Sequence, residues 1–304
     1  MSNLSAAHFH NEEAAYAYVE ERLWPHGAVC PHCGGVDRVG KLKGKTTRAG
    51  LWKCYQCRKP FTVKIGTIFE DSKVPMNVWL QAMYLIAGSK KGMSSNQLHR
   101  ILGVTLKTAW FMSHRIREAM QETETWPMGG LGATVEADET FIGREPGSSV
   151  QRGAWHKMKV LALVERGGRS RAMVVDHIGI PQIRSFLTEN VHRLTKLNTD
   201  EAGVYTKVGR YFYQHHVVNH RSGEYVRDKA HTNTIEGYFS IFKRGMKGVY
   251  QHCAKQHLHR YVAEFNFRYS NRVALGIGDT ERSDLLLRGV IGKRLTYQTA
   301  SARA

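Results

Sequence analysis

The sequence predicts a mixed α/β protein whose main domain is preceded by a metal-stapled ribbon and a helix-turn-helix. Three observations carry that prediction. Strand-like segments ATVEADETFI, KMKVLALVER and SRAMVVDHI follow one another across Gly- and Ser-rich turns, with helical and strand-like segments after them. Two C-x-x-C pairs stand near the start. Between them and the strands, Pro75 to Met120 carries a helical pattern, interrupted at Gly88 to Ser95 and around Gly103.

The chain begins with a helical pattern over residues 10–24, with Ala14, Ala15, Tyr18, Val19 and Leu23 on one broad face. Residues 25–62 are rich in Gly, Cys, Lys and Arg, with short β-like pieces LWKCY and FTVKI. Cys30 and Cys33 form one knuckle, Cys54 and Cys57 the second, and 20 residues lie between them. Four thiolates so spaced can surround one tetrahedral Zn²⁺, a structural site because no coordination position stays open. So small a module buries too little apolar surface to fold alone, and the ion supplies the difference. His26 and His32 are bystanders beside four cysteines, and Cys253 is a small buried side chain.

In SSNQLHRILGVTLKTAWFMSHRIREAM, residues 94–120, Ser94 or Ser95 caps a first helix with Leu98, Ile101 and Leu102 on its apolar face. Gly103 and Val104 make a tight turn and Thr105 caps a second helix. Ala109, Met112 and Ile116 are expected to face inward, and Lys107, Thr108, Ser113, His114 and Arg117 outward. In a helix-turn-helix that outward face enters the major groove. An ordinary helical hairpin with a solvated basic face is the alternative. TWPMGGLG, residues 125–132, reads as a hinge or linker.

In the main domain a helix is expected from Pro181 to Arg193, a strand ending at Asp200, another at HHVVNH, and helices from Thr234 to about Arg272. Three acids stand out: Asp138 in a strand, Asp200 at the end of a strand and Glu236 at the start of a helix. On that helix Asn233, Glu236, Ser240 and Lys243 share a polar face, and Ile235, Phe239, Phe242 and Met246 an apolar one. A carboxylate for a metal beside a cation for a phosphate suits phosphodiester chemistry, in which two hard cations activate the attacking oxygen and stabilise the leaving one. On charge alone Glu136, Glu139, Asp176, Glu201 and Glu264 qualify equally; the order strand, strand, helix singles out the first three.

Composition sets the bounds. Hydrophobic residues make up 42% and charged residues 23% of 304, the balance of a globular protein, and no apolar run is long enough for a bilayer. The acidic start lacks the basic and apolar regions of a secretory signal, which predicts a cytoplasmic protein. Lys and Arg number 44 against 26 Asp and Glu, a net charge of +18, which favours a polyanionic partner through counterion release.

The motifs WPHGAVCPHCGG, WKCYQCRKPFTVKIGTIFED, VEADETFIG, LNTDEAGVY and HTNTIEGYFSIFKRGMKGVYQHCAKQHLHRYVAEFNFRYSNR, in this order, resemble the bacterial insertion-sequence transposases in which a zinc ribbon precedes a DDE-type catalytic domain, the ISXO-like lineage. The resemblance spans Trp24 to Arg272. It implies an RNase H-like fold, a mixed sheet flanked by helices, and a nucleoid-associated location. It implies that Asp138 and Asp200 hold two Mg²⁺ (or Mn²⁺) at the sheet, that Glu236 completes the set and that Lys243 contacts terminal DNA. The third ligand of this lineage is Asn in some members and Glu in others; Glu236 is preferred as the better Mg²⁺ ligand, with Asn233 one turn away as the second candidate.

The expected domains are a helical segment (1–25), the ribbon (26–66), the helix-turn-helix (67–125), the catalytic domain (130–275) and a basic C-terminal tail (276–304), DNA-contacting or frayed. Expected DNA contacts are Lys107, Thr108, His114, Arg117, Lys243, Arg244 and Lys247. The expected partners are double-stranded DNA, as terminal inverted repeats and target, and further copies of the chain assembled on it. A non-catalytic DNA-binding regulator, or a nuclease that cuts without joining, shares many of these features.

Overall fold

The computed structural model describes residues 2–122, 126–150, 152–219, 226–227 and 230–296. The chain divides into two compact units, residues 1–89 with 93–121 and 278–304, and residues 90–92 with 122–277.

The first unit opens with helix α1 (Glu12–Leu23), capped by Asn11, whose side chain accepts the Ala14 N–H at 2.9 Å, with Glu12 and Glu13 in its positive first turn. Ala15, Val19 and Leu23 are buried as expected, and so are Tyr16 and Glu20. Glu20 accepts from Lys41 Nζ at 2.8 Å and Trp52 Nε1 at 2.9 Å, which ties α1 to a three-stranded antiparallel sheet of β1 (Val39–Lys41), β2 (Trp52–Cys54) and β3 (Pro60–Phe61). Of FTVKI only Phe61 lies in a strand; the segment then turns. Helices α2 (Met76–Gly88), α3 (Ser95–Leu102) and α4 (Leu106–Ala119) follow. Ser94 caps α3 by accepting the Gln97 N–H, Thr105 caps α4 by accepting the Thr108 N–H, and Gly103 between them takes the left-handed conformation (φ 65°) that stops α3.

The second half of α4 does not face solvent. Ser113, His114 and Arg117 are at most 1% exposed, which corrects the expectation that they form an outward basic surface. Residues remote in sequence close on the end of this helix. The backbone at Gly289 crosses close to the Ala119 carbonyl, Lys293 donates to the Ala119 and Gln121 carbonyls, and Arg115 donates to the Leu295 carbonyl at 3.1 Å. Residues 279–288 form a helix whose Leu286 and Leu287 are buried, and its Asp284 accepts from Tyr18 (2.5 Å) and Arg22 (2.8 Å) of α1. Up to residue 296 the C-terminal segment is therefore an integral part of the first unit; residues 297–304 lie outside the described residues.

The second unit is built on a five-stranded mixed sheet. In chain order its strands are β4 (Thr134–Ile142), β5 (Met158–Glu165), β6 (Ser170–Val175), β7 (Lys196–Asp200) and β8 (Gln214–Val218), and in space they run β6-β5-β4-β7-β8. The first three are antiparallel; β7 and β8 join parallel to β4. Alternation along the strands assigns two cores. Val135, Ala137, Leu161, Leu163 and Leu197 pack against α5 (Ile180–Asn190) and α6 (Gly203–Gly209). Ile142, Met158, Val160, Ala162 and Val164 pack against α7 (Asn233–Gly245) and α8 (Lys255–Ser270). A two-stranded hairpin, β9 (Val226–Arg227) and β10 (Ala230–His231), leads into α7. This is the expected α/β architecture, a mixed sheet with helices on both faces, compatible with an RNase H-like domain.

Three local expectations change. The helix predicted from Pro181 to Arg193 begins at Ile180 and ends at Asn190. The continuous helical reading after Thr234 breaks at a π-turn over Met246–Tyr250, where the Tyr250 hydroxyl donates to the buried Glu264, which also pairs with Arg268. The expected linker is docked on the second unit: Met128 is fully buried and exchanges backbone hydrogen bonds with Asn190 and His192, and Gly129 packs against Thr195. Residues 123–125 lie outside the described residues. No described helix is long and apolar enough to cross a membrane.

Phe242 is 1% exposed and meets the Phe265 ring edge-on at 5.1 Å, one of the contacts holding α7 to α8. Phe242→Ala is expected to cost about 3–5 kcal/mol of stability, read by denaturant unfolding.

Candidate active site and zinc ribbon

Strand parity brings two of the three singled-out acids to one face of the sheet, and α7 carries the third on that side. Along β4, Val135 and Ala137 point to the α5/α6 side, so Glu136 and Asp138 point to the α7 side. Along β7, Leu197 points to the α5/α6 side, so Asn198 and Asp200 share the face of Asp138. The parallel register pairs Thr134 with Lys196, Val135 with Leu197 and Glu136 with Asn198. Asp138 and Asp200 stand two residues beyond the last of these pairs, close enough for the charge of Asp200 to act on Asp138. Glu236 overlooks them from the first turn of α7, and the Thr232 hydroxyl donates to its carboxylate at 3.0 Å.

The electrostatics follow from that crowding. Burial, with the charge of Glu139 and smaller contributions from Asp200 and Glu236, pushes the Asp138 carboxyl up to about 8; the Glu139 N–H, donating to Asp138 Oδ1 at 2.7 Å, opposes the shift. Glu139 is also raised, by burial above all, while Tyr205 donates to it at 2.7 Å from the opposite side of the sheet. All are hard oxygen donors, and Asp138 and Glu139 are held where water is scarce, the condition that a bound divalent cation relieves. The three carboxylates do not close around a single point: among the described residues, only the four cysteines bring their ligand atoms all within 4.8 Å of one another.

The rest of α7 presents the faces expected of it. Ile235, Phe239, Phe242 and Met246 are buried, while Asn233, Glu236, Lys243 and Lys247 are exposed. Lys243 Nζ lies 6.0 Å from the Phe239 ring centroid. Arg244 is exposed, with its guanidinium folded back onto Ser240. On α4, Lys107 is exposed and Thr108 half-buried, its hydroxyl 2.8 Å from that of Thr105. His114 and Arg117, buried, have no access to a ligand in the groove of a duplex.

Sequence reasoning set Glu136 aside as one of several acids and missed its role. Glu136 is 0% exposed, and its carboxylate accepts from the Thr234 N–H, the Thr234 hydroxyl and the Ile235 N–H, each at 2.9 Å, and from Arg166 Nε at 2.7 Å. It caps the helix that carries Glu236. The available signal was parity: Glu136 stands two residues before Asp138, so an acid faces the interior with no cation nearby in sequence.

In the ribbon, Cys30 Sγ lies 3.7 Å from Cys57 Sγ and Cys33 Sγ 3.6 Å from Cys54 Sγ. Tetrahedral Zn–S bonds of about 2.3 Å call for this spacing. The backbone N–H of Cys57, helped by that of Gln56 and opposed by burial, holds the Cys54 thiol down at about 7, toward the thiolate that a metal needs. Trp24 meets Trp52 and Phe61 edge-on at 5.9 and 5.8 Å, beside a small core of Ala28, Cys30, Cys54 and Phe61. His26 and His32 are exposed and stand outside the four-cysteine cluster.

Comparison with known proteins agrees with both halves. Residues 130–270 match the ISXO2-like transposase domain, and residues 10–60 match the transposase zinc-ribbon domain. An uncharacterized protein in the transposable element ISH50 of Halobacterium salinarum is 26% identical over 278 residues, covering 86% of this chain and 91% of that protein. The two domain matches together cover well over half of the chain, in the order the motifs predict. The chain belongs to the insertion-sequence transposases that carry a zinc ribbon ahead of an ISXO2-like DDE domain.

Proposed function

We propose that the chain binds the terminal inverted repeats of its insertion sequence, hydrolyses the DNA strand there and transfers the freed 3′ hydroxyl onto target DNA. The observation that carries this reading is that Asp138 and Asp200 share one sheet face with Glu236 near them on α7, Asp138 being held at about 8 mainly by its burial and by neighbouring carboxylates.

The donor set fits Mg²⁺ or Mn²⁺, since all of it is oxygen and most of it anionic. Asp138 and Asp200 would hold the ions from the sheet and Glu236 from α7, with Asn233 as the alternative third ligand. Two such cations, when bound, activate the attacking oxygen and stabilise the leaving one. The protein's own part is to fix the carboxylates on strands and a helix and to shield Asp138 from water. Lys243, two turns along α7 from Glu236, offers an ammonium to a neighbouring phosphate, and Lys247 extends the same basic edge.

End recognition falls to the ribbon and to α3 and α4 acting as a helix-turn-helix. Of the α4 residues expected to face outward, Lys107 and Thr108 alone reach solvent, so they carry the contact with the major groove. The +18 charge supplies the non-specific attraction to duplex DNA. Pairing two ends requires at least two protomers, which assemble on the DNA.

Asp200→Asn is expected to retain end binding in a gel shift and to lose strand transfer with Mg²⁺ or Mn²⁺ by orders of magnitude; undiminished joining overturns the mechanism. Lys107→Ala should weaken end binding by about 1–3 kcal/mol. Arg117→Ala should instead lower stability by about 1–3 kcal/mol, and a melting curve beside a binding isotherm separates the two effects. Cys33→Ser should abolish stoichiometric zinc, measured by atomic emission, and expose residues 26–66 to protease.

A further inference from the structure

We propose that Glu136 and Asn198 form a positioning layer, one pleat beneath the carboxylates, that sets where α7 places Glu236 and Asn233. The inference rests on the transposase reading for what those ligands do, and on the sheet geometry alone for how they are placed.

The two residues are direct partners in the parallel β4–β7 ladder. Each stands two positions before one of the sheet aspartates and points to the same side. Both reach the short stretch that enters α7. Glu136 takes the N–H groups of Thr234 and Ile235 and the Thr234 hydroxyl, and the Asn198 amide donates to the His231 carbonyl at 3.2 Å. Arg166 closes the bracket: its Nε donates to Glu136 at 2.7 Å and its terminal nitrogen to the same His231 carbonyl at 2.8 Å.

A helix leaves its first N–H groups without partners, and a residue just ahead of it often satisfies them. Here the N-cap residue Thr232 makes no side-chain cap, and the cap comes from the strand that bears Asp138. The start of α7 is thus fastened to β4 and β7, the two strands whose next inward positions are Asp138 and Asp200. Glu236 lies one residue beyond the capped N–H of Ile235. A shift of α7 relative to the sheet has to break this bracket, and a shift of about 1 Å is enough to spoil a ligand geometry.

Glu136→Gln keeps the volume but sets an amide donor against either the α7 N–H groups or Arg166. Thr234→Val removes one hydrogen bond and leaves the rest. The test measures Mn²⁺ binding to the full chain by electron paramagnetic resonance, with zinc content, melting and end binding alongside. The expected result for Glu136→Gln is Mn²⁺ binding weakened tenfold or more, with zinc content and end binding unchanged and part of the joining activity recovered at high Mn²⁺. Thr234→Val should show a smaller shift in the same direction. Mn²⁺ binding within twofold of the unsubstituted chain in folded Glu136→Gln overturns the proposal; if that variant does not fold, unchanged binding by Thr234→Val overturns it. Failure of the transposase reading is separable, because it leaves the unsubstituted chain unable to join DNA whatever the Mn²⁺ comparison returns.

Discussion

The second unit depends on a single buried carboxylate. Glu136 has no exposure, and the groups around it are donors: two backbone N–H groups, a hydroxyl and a guanidinium. An ion so buried is costly unless every lone pair is used, and here hydrogen bonds and the positive end of a helix meet that cost. The arrangement fixes the direction of α7 as well as its position, because N–H groups at a helix start point along its axis. The apolar face of α7 then lies on β4 and β5, and Glu236 stays near Asp138 on the same side of the sheet.

The two faces of the sheet do different work. On the α5/α6 side the strands supply Val135, Ala137, Leu161, Leu163 and Leu197 to a dry core. On the α7 side the aliphatic residues belong chiefly to β5, while β4 and β7 carry Glu136, Asp138, Asn198 and Asp200. The polar stripe lies where the sheet changes from antiparallel to parallel, at β4. Parallel neighbours in register put like side chains side by side, which is how acids 62 positions apart in the chain come to feel each other's charge.

Features set by local rules were legible in the sequence. The caps at Ser94 and Thr105, the left-handed Gly103 and the two faces of α7 depend on residues a few positions apart, and they appear where spacing puts them. The zinc ribbon was legible because thiol chemistry leaves few alternatives. The misread features depend on distant partners. Arg117 and His114 have the composition of an outward basic face, yet both are interior, while residues near position 290 close on the end of α4 at Ala119. Arg115 reaches a carbonyl 180 positions away, and Glu136 reaches N–H groups 98 and 99 positions away. Periodicity carries no trace of either. The docked Met128 is similar: a Gly-rich segment has the composition of a linker whether or not the backbone of Asn190 and His192 captures it.

The return of residues 278–296 to the first unit has a consequence for biosynthesis. A ribosome releases α1 to α4 well before it has made the helix at 279–288, so the inner side of α4 and the Tyr18–Arg22 side of α1 wait uncovered while the whole sheet unit is synthesised. The amino-terminal module therefore reaches its finished form last, although it is translated first. A truncated translation product lacks the cover of α4, and maturation of the amino-terminal module is coupled to completion of the sheet domain within the same molecule.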